Sequence, residues 1–439
     1  MKKTVILIFF AVGHLIATAQ NQTKNLSLNE AMTSALSGRS DIQAMSYNTL
    51  VAQNNIDKFK KEWIPEVSGK ASVHYNILLQ GMLIPAGFGG LPESQIIALG
   101  AKHITSFGFD ISEPLYRPTL KTELSLADVN VKTTKENKLL AENAVKTKVA
   151  EAYYNVSLKK LQLSVLEKAK TRYNEYLKIT EGRLKNGTAL ESEYLKTKLD
   201  FDNSDIEVKK AEQAYAFSLT YLKYLMNMPK ETDIVLTDSL RMEDNLPNPE
   251  TATSTINRPE LRLFDLQNQT YSLMTKRTKE NLLPSVSAYG NLSIQFLNNG
   301  FNFSKWDYWN PYTYIGVRTT VPISARFKTD ETIKEYSLKQ KQGELDQKQK
   351  TADINFEIEK AKTDMANAVL NIKSSKMSYD VSNELYGQQI KQFALGGLLY
   401  TNILDTERSI NMSEQNYIKS IYEYFVPKIS FNKATGNFE

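Results

Sequence analysis

Two very long stretches without proline constrain the fold of this chain more than any other feature. The first covers residues 119–228, in which the only glycines are Gly182 and Gly187, and the second covers residues 323–426. Such stretches suit α-helices and little else, because proline and glycine are the residues that interrupt a helix. A helix over residues 120–180 would be about 90 Å long, which is more than an ordinary globular domain needs.

Apolar residues in the first stretch recur in steps of three and four, which is the spacing of a coiled-coil seam. The first helix would contribute Val149, Ala152, Val156, Leu163, Leu166, Tyr173 and Leu177, and the second would contribute Leu190, Tyr194, Thr197, Phe201, Ser204, Val208, Ala211, Tyr215, Leu219 and Leu222. We therefore expect a hairpin of two long helices with a tight turn near Gly187.

Four short segments between the helical stretches alternate apolar and polar residues, as strands with one apolar face do. They cover residues 66–80, 104–112, 285–296 and 312–321. A half-buried sheet in a soluble domain would alternate in the same way. Strands of this length can cross a bilayer, however, and residues 301–312 are rich in the aromatic side chains found at membrane interfaces. These two features favour membrane-spanning strands.

The two halves of the chain repeat one order of helix, strand, loop, strand, long helix, turn and long helix. Four landmarks stay collinear: residues 39–42 match 258–261, residues 64–68 match 283–287, Pro114-Leu115 matches Pro322-Ile323, and Asn186-Gly187 matches Leu395-Gly396. The difference in residue number between matching landmarks falls from 219 for the first two to 208 and 209 for the last two. The first copy therefore has about eleven extra residues between its strands. This pattern indicates an internal duplication.

Four prolines are expected at the junctions between strands and helices, because proline ends a strand ladder and is tolerated in the first turn of a helix. They are Pro65, Pro114, Pro284 and Pro322. Four strands cannot close a transmembrane barrel, since the smallest barrels have about eight. The sheet edges must therefore pair with other copies of the chain, and the strand count alone allows either two copies or three.

Residues 1–19 have the basic start, the apolar run and the small residues of a secretory signal peptide. The chain has no cysteine, so we expect neither a disulfide nor an N-terminal lipid. Loss of the two lysines in the signal lowers the formal net charge from +5 to +3, which argues against nucleic acid as a partner. We divide the mature chain into a first repeat (20–228), a connector (229–257) and a second repeat (258–439).

Several motifs resemble those of the TolC-like outer-membrane efflux proteins over almost the whole mature chain. They are Leu26-Ser27-Leu28-Asn29-Glu30-Ala31 with the spacing of a capping box, Glu113-Pro114-Leu115-Tyr116, Asn257-Arg258-Pro259-Glu260-Leu261, and Gly396-Gly397 followed by Ile403-Leu404-Asp405. The resemblance implies a homotrimer in the outer membrane of a Gram-negative bacterium, with a twelve-stranded β-barrel and a periplasmic coiled-coil barrel of α-helices. An equatorial region would contain the connector and the tail after Pro427. The implied partners are a periplasmic adaptor, an inner-membrane pump and outer-membrane lipid.

The resemblance also implies that acidic side chains close the periplasmic end of the tunnel just after the last turn. The two positions are Asp405 and Asn402, and Asn402 departs from the aspartate often found there. Their equivalents in the first hairpin are Lys196 and Glu193. Asp405 could instead be a surface residue paired with Arg408. The hairpin tips would either dock the adaptor or be simple turns. They are Asn186, Gly187, Thr188, Leu395, Gly396 and Gly397.

No residue pattern in the sequence indicates an enzyme, a cofactor site or a metal site. His74 and His103 are isolated and are expected to be solvated on strands. The glycines at 87, 89 and 90 lie in an apolar loop, which we expect to be a flexible extracellular tip. The helical carboxylates have lysines nearby and are expected on solvated faces.

We therefore predict a passive exit channel of a tripartite efflux or type I secretion system. A periplasmic adaptor or structural coiled-coil protein is the alternative, although adaptors usually have one helical hairpin where this chain has two.

Overall fold

The computed structural model describes residues 24–90, 92–238, 240 and 257–437. In chain order its elements are β1 (Lys24–Leu26), α1 (Leu28–Gly38), α2 (Ser40–Lys60), β2 (Glu66–Tyr75), β3 (Gly81–Ile84), β4 (Gln95–Ala98), β5 (His103–Tyr116), α3 (Leu120–Lys185), α4 (Glu191–Leu225), β6 (Ile234–Leu236), α5 (Pro259–Glu280), β7 (Ser285–Asn298), β8 (Trp309–Thr320), α6 (Arg326–Ala394) and α7 (Tyr400–Thr435). The predicted signal peptide and residues 241–256 of the predicted connector lie outside the described residues.

The chain divides into two compact units, and each draws on both halves of the sequence. The helical unit consists of Met1–Gln43, Ala141–Arg258 and Asp353–Glu439. The sheet unit consists of Ala44–Leu140 and Pro259–Ala352.

The long helices expected from the proline-free stretches are present as α3, with 66 residues, and α6, with 69 residues. Each is followed by a short turn and a second long helix. The last helix, α7, continues through Pro427 to Thr435, beyond its predicted end. Tyr424, Pro427 and Ile429 are buried, so packing outweighs the single helical hydrogen bond that proline cannot make. Within the described part of the chain, none of the helices is both long and apolar enough to cross a membrane.

The sheet unit contains a four-stranded antiparallel sheet in the order β2-β5-β7-β8. Each half of the chain supplies two adjacent strands, and the halves meet where β5 pairs with β7. β2 and β8 form the two edges. Because neighbouring strands alternate in direction, the ends that lead to α2, α3, α5 and α6 all lie at one end of the sheet.

The two faces of this sheet differ in polarity, as the alternation predicted. One face carries exposed apolar side chains, namely Val67, Val73, Phe107, Phe109, Ile111, Leu292, Ile315 and Val317. On the other face the hydroxyls of Ser72 and Ser106 are 2.6 Å apart. There, Lys70 pairs with Asp110, and the Asn291 amide donates to Asp110 at 2.7 Å.

The strands differ from the expected bounds in two places. β2 ends at Tyr75, and the apolar loop after it contains a small hairpin of β3 and β4. Pro114 lies inside β5, at a register shift between Pro114 and Tyr116. A bulge tolerates the missing proline donor, so Pro114 does not mark the junction with α3. Pro65, Pro284 and Pro322 lie in the connecting segments between helix and strand.

The helical unit is built around three apolar cores. In the first, α1, α3 and α4 pack with the parallel pair of β1 and β6, around Leu26, Tyr153 and Leu222. The second joins α3, α6 and α7, and the third lies near the two helix turns. The start of α1 has the predicted capping box: the Glu30 N–H donates to Ser27 Oγ at 3.3 Å, and the Ser27 N–H donates to Glu30 Oε2 at 2.8 Å.

Candidate functional site

The turns that end α3 and α6 have the same backbone geometry. α3 ends at Lys185 and α6 at Ala394, so both turns keep the offset of 209. In the first, the N–H groups of Gly187 and Thr188 donate to the carbonyls of Leu184 and Arg183. In the second, the N–H groups of Gly396 and Gly397 donate to the carbonyls of Phe393 and Gln392, respectively. This pattern is a Schellman motif, which satisfies the last free carbonyls of a helix.

A left-handed glycine makes each turn possible. Gly187 has φ 71° and Gly396 has φ 79°, a region that glycine enters at little cost. A Cβ atom added at either glycine would meet no other atom within 4 Å. The requirement for glycine is therefore conformational, and both turns lie open to their surroundings.

Asp405 and Asn402 both lie exposed on α7, just after the second turn. The Asp405 side chain is 79% exposed, and one of its oxygens is 3.9 Å from Arg408 Nη1. An ion pair that is long and solvated on both sides contributes little to stability. The Asp405 carboxylate is therefore available to ions or to other copies of the chain.

The equivalent residues on α4 have different surroundings. Glu193 turns toward α3, where one of its oxygens is 3.7 Å from Arg183 Nη1 and its side chain is only 16% exposed. The Arg183 guanidinium also lies 5.7 Å from the centre of the Phe393 ring on α6. Lys196 is exposed. At one pair of equivalent positions, the hairpin of α6 and α7 thus presents the exposed Asp405 carboxylate and the hairpin of α3 and α4 presents the exposed Lys196 ammonium.

A buried ionic network that the sequence analysis missed joins α3 to α7 behind these residues. The Glu407 side chain is 0% exposed and accepts hydrogen bonds from Arg172 Nε at 2.8 and 2.9 Å. Tyr176 Oη donates to the same carboxylate at 2.8 Å, and Asn411 Nδ2 donates at 2.9 Å. Both carboxylate oxygens are therefore paired, as a buried charge requires.

Related polar contacts recur in both hairpins at the offset of 209. Thr197 on α4 contacts Thr180 on α3 at 3.4 Å. Thr406 on α7 contacts Gln389 on α6 in the same way. Tyr400 adds a contact between the hairpins, because its hydroxyl donates to Asp200 at 2.8 Å.

Burial and charge shift the pKa of several groups in this region. Burial raises the pKa of the Tyr173 phenol to about 12 and also raises the pKa of Tyr176 and of Tyr400. Hydrogen bonds from Lys170 and Lys209 lower the pKa of Asp205 to about 2. These tyrosines stay neutral and Asp205 stays charged over the physiological range.

His103 is buried rather than solvated. Its ring centre lies 4.7 Å from that of Tyr75 and 3.9 Å from that of Phe301. The strand pairing places it on the apolar face of the sheet, with Phe107 and Phe109. In the described ranges no group of three or more potential ligands could hold a metal ion.

Comparisons with known proteins agree on one kind of protein. Residues 31–227 match the outer membrane efflux protein family. The fold resembles that of the outer-membrane channel OprN at 14% identity and a TM-score of 0.71, over 94% of this chain and 90% of that one. It resembles the Campylobacter jejuni outer membrane channel CmeC at 16% identity and a TM-score of 0.71, over 94% of this chain and 86% of that one. It also resembles CusC at 16% identity and a TM-score of 0.72, over 97% of this chain and 96% of that one. No curated protein sequence matches the chain.

Proposed function

We propose that this chain belongs to the outer membrane efflux protein family and forms the exit channel of a tripartite efflux or type I secretion system. The family match and the similar folds agree with the resemblance found in the sequence motifs. A channel conducts its cargo passively and catalyses no reaction. The alternative of a periplasmic adaptor has no support, because the matching family and the similar structures are outer-membrane channels.

The observation that carries this proposal is the sheet with one exposed apolar face and two open edges. Side chains such as Phe109 and Ile315 suit contact with lipid, where apolar surface carries no penalty. Lipid cannot satisfy the free N–H and C=O groups of β2 and β8, so these edges must pair with other strands. Three copies arranged in a ring would pair every edge in a twelve-stranded barrel, as in the TolC-like family.

Exposed apolar stripes on two of the long helices support the same homotrimer. On α4 the stripe contains Leu195, Leu199, Ile206, Phe217, Tyr221 and Tyr224. On α6 it contains Phe356, Leu370, Met377, Val381 and Leu385. The two stripes lie on different helices, so α4 of one copy can pack against α6 of the next, and a ring of three leaves neither stripe in water.

The polar face of the sheet would line the pore of this barrel. Lys70, Asp110 and Asn291 form a row of linked polar groups across three strands, with Ser293 donating to Asn291 at 2.7 Å. A wall of paired charges and hydroxyls favours water over lipid. The outer membrane is therefore the proposed location, with the helical unit in the periplasm.

We further propose that the narrow end of the tunnel lies at the helix turns. Threefold symmetry would convert Asp405, Asn402, Glu193 and Lys196 into rings of three. A ring of exposed Asp405 carboxylates would attract cations and repel anions in a narrow passage. Glu193 is paired with Arg183, so its ring would contribute less to this field.

The open turns are the proposed docking points for a periplasmic adaptor, which would connect the channel to an inner-membrane pump. Their exposed residues are Asn186, Gly187, Thr188, Leu395, Gly396 and Gly397. Two turns with one backbone geometry in each of three copies would offer six similar sites to the adaptor. The proposed chain organisation remains a signal at 1–19, repeats at 20–228 and 258–439, and a connector between them.

The proposed gate is tested by single-channel recording of the purified trimer in planar bilayers. Asp405→Asn should reduce selectivity for cations and weaken block by divalent cations, because it removes three charges from one ring. Asp380→Asn removes an exposed carboxylate farther along α6 and serves as the matched control. If the two variants behave alike, Asp405 does not belong to the gate. If the protein forms no channel at all, the proposed function is wrong.

A further inference from the structure

The hairpin of β3 and β4 is the most apolar exposed feature of the sheet unit. It occupies residues 77–101, at the end of the sheet opposite to the helices, and Glu93 is its only charged residue. The Asn76 N–H donates to the Lys102 carbonyl at 2.8 Å and the Leu99 N–H donates to the Gln80 carbonyl at 3.2 Å, so the base of the hairpin is fixed. Its exposed apolar side chains include Ile77, Leu78, Met82, Leu83, Phe88 and Ile96.

Both faces of this hairpin are apolar. Met82 pairs with Ile97 on one face, and Leu83 pairs with Ile96 on the other. Strands that are apolar on both faces normally have both faces covered. A two-stranded hairpin alone is also only marginally stable in water. The hairpin therefore needs a partner on each side.

Lipid is a poor partner for the hairpin. Inserted in lipid, β3 and β4 would leave their outer N–H and C=O groups without hydrogen bonds, which the membrane interior does not tolerate. Residues 77–101 also contain no lysine or arginine to contact lipid phosphates. A second copy of the hairpin has neither problem, and in a ring of three each hairpin has one neighbour on each side.

The hairpin is long enough to reach such neighbours. Twelve strands spaced ~4.8 Å apart and tilted by ~40° give a barrel with a radius of ~12 Å. The segment from Ile77 to Phe88 can extend ~40 Å at ~3.3 Å per residue. Gly87, Gly89 and Gly90 have φ values of 85°, 66° and 82°, so the tip can turn back without strain.

We propose that the three hairpins meet on the threefold axis and close the outer mouth of the barrel as an apolar gate. The inference rests on the homotrimer of the proposed function. An apolar constriction excludes water and ions until a cargo parts it. The aromatic connection between β7 and β8 covers only residues 299–308, whereas the connection between β2 and β5 covers residues 76–102. The longer connection of the first half would serve this gate.

Cysteine cross-linking tests the contact directly, because the natural chain has no cysteine. In trimers extracted from outer membranes, Phe88→Cys should form disulfide-linked dimers on oxidation, with at most two of the three chains linked. Ser304→Cys places a thiol on the exposed loop between β7 and β8, at the same end of the sheet, and should not cross-link.

Conductance tests the closure. Phe88→Lys should hydrate the gate and raise the single-channel conductance several-fold, whereas Ser304→Lys should leave it unchanged. Two results with an intact trimer would overturn the gate and leave the proposed function standing. One is that Phe88→Cys forms no cross-link. The other is that Phe88→Cys forms a cross-link but Phe88→Lys leaves the conductance unaltered. Absence of the trimer overturns both.

Discussion

At the level of single residues, the region behind the helix turns depends on a carboxylate that the sequence pattern did not identify. Helical carboxylates in general were expected on solvated faces because lysines lie nearby, yet Glu407 is fully buried against Arg172 and Tyr176. The spacing of Glu407 from its apolar neighbours could have predicted that it is buried. Ile403, Glu407 and Ile410 follow steps of four and three, so Glu407 continues the apolar face of α7.

Loss of the Glu407 charge should destabilise the helical unit. Glu407→Gln keeps the shape of the side chain but leaves the buried Arg172 guanidinium without a counter-charge, so we expect the free energy of unfolding to fall by about 3–5 kcal/mol. Guanidinium denaturation followed by circular dichroism measures this change. Glu423→Gln removes an exposed carboxylate from an ion pair with Lys419 and should cost less than about 1 kcal/mol. Equal losses in the two variants would contradict the account of the network.

The Asp205 carboxylate should make stability depend on pH in a narrow acidic range. Hydrogen bonds from Lys170 and Lys209 lower its pKa from 3.8 to about 2 in the folded chain. The stabilisation is therefore present above the unfolded pKa and is lost as the pH falls through the folded value. Asp205→Asn should lower the melting temperature at neutral pH, and the difference from the natural protein should shrink between about pH 4 and pH 2 and vanish below pH 2.

The neighbouring exposed Asp202 provides the control for this pH dependence. Asp202→Asn should leave the melting temperature close to that of the natural protein throughout the titration. A difference between Asp205→Asn and the natural protein that stayed constant down to pH 2 would show that the carboxylate charge is not responsible.

At the level of elements, periodicity and proline spacing predicted the helices and strands, while tertiary contacts decided their limits. Of the predicted seam on α4, Thr197, Ser204, Val208 and Leu222 are buried. Leu190 is exposed because it precedes the helix as its cap. The β3-β4 hairpin was expected to be a flexible tip, since short two-sided apolar strands do not alternate and therefore resemble a loop. The bulge at Pro114 depends on pairing with β7, which no local pattern reveals.

Substitution of two leucines on α4 distinguishes contacts within one chain from contacts between chains. Leu222 is fully buried, so Leu222→Ala should lower the free energy of unfolding by about 2–5 kcal/mol. Leu199 is 59% exposed in the single chain. Leu199→Ala should leave the fold intact but reduce the fraction of trimer after dilution in detergent, measured by size-exclusion chromatography. An unchanged trimer fraction in Leu199→Ala would place the stripe outside the interface.

At the level of the whole molecule, the motifs that resemble the TolC-like proteins predicted the kind of protein that the family match and the similar folds then indicated. The sequence could not predict which carboxylates are buried or how the two hairpins contact each other. The hairpins differ at the proposed gate, where Asp405 is exposed and Lys196, at the equivalent position, is exposed and carries the opposite charge. The two helix turns thus share one backbone geometry but are followed by different side chains.

The central claim is that three copies of this chain form one channel in the outer membrane, and native mass spectrometry of the protein extracted from that membrane in mild detergent tests it most directly. The account predicts a complex with the mass of three mature chains, because a closed ring of three would cover the two open sheet edges and the two apolar stripes of each chain. Recovery of a single chain from the soluble periplasmic fraction would contradict it.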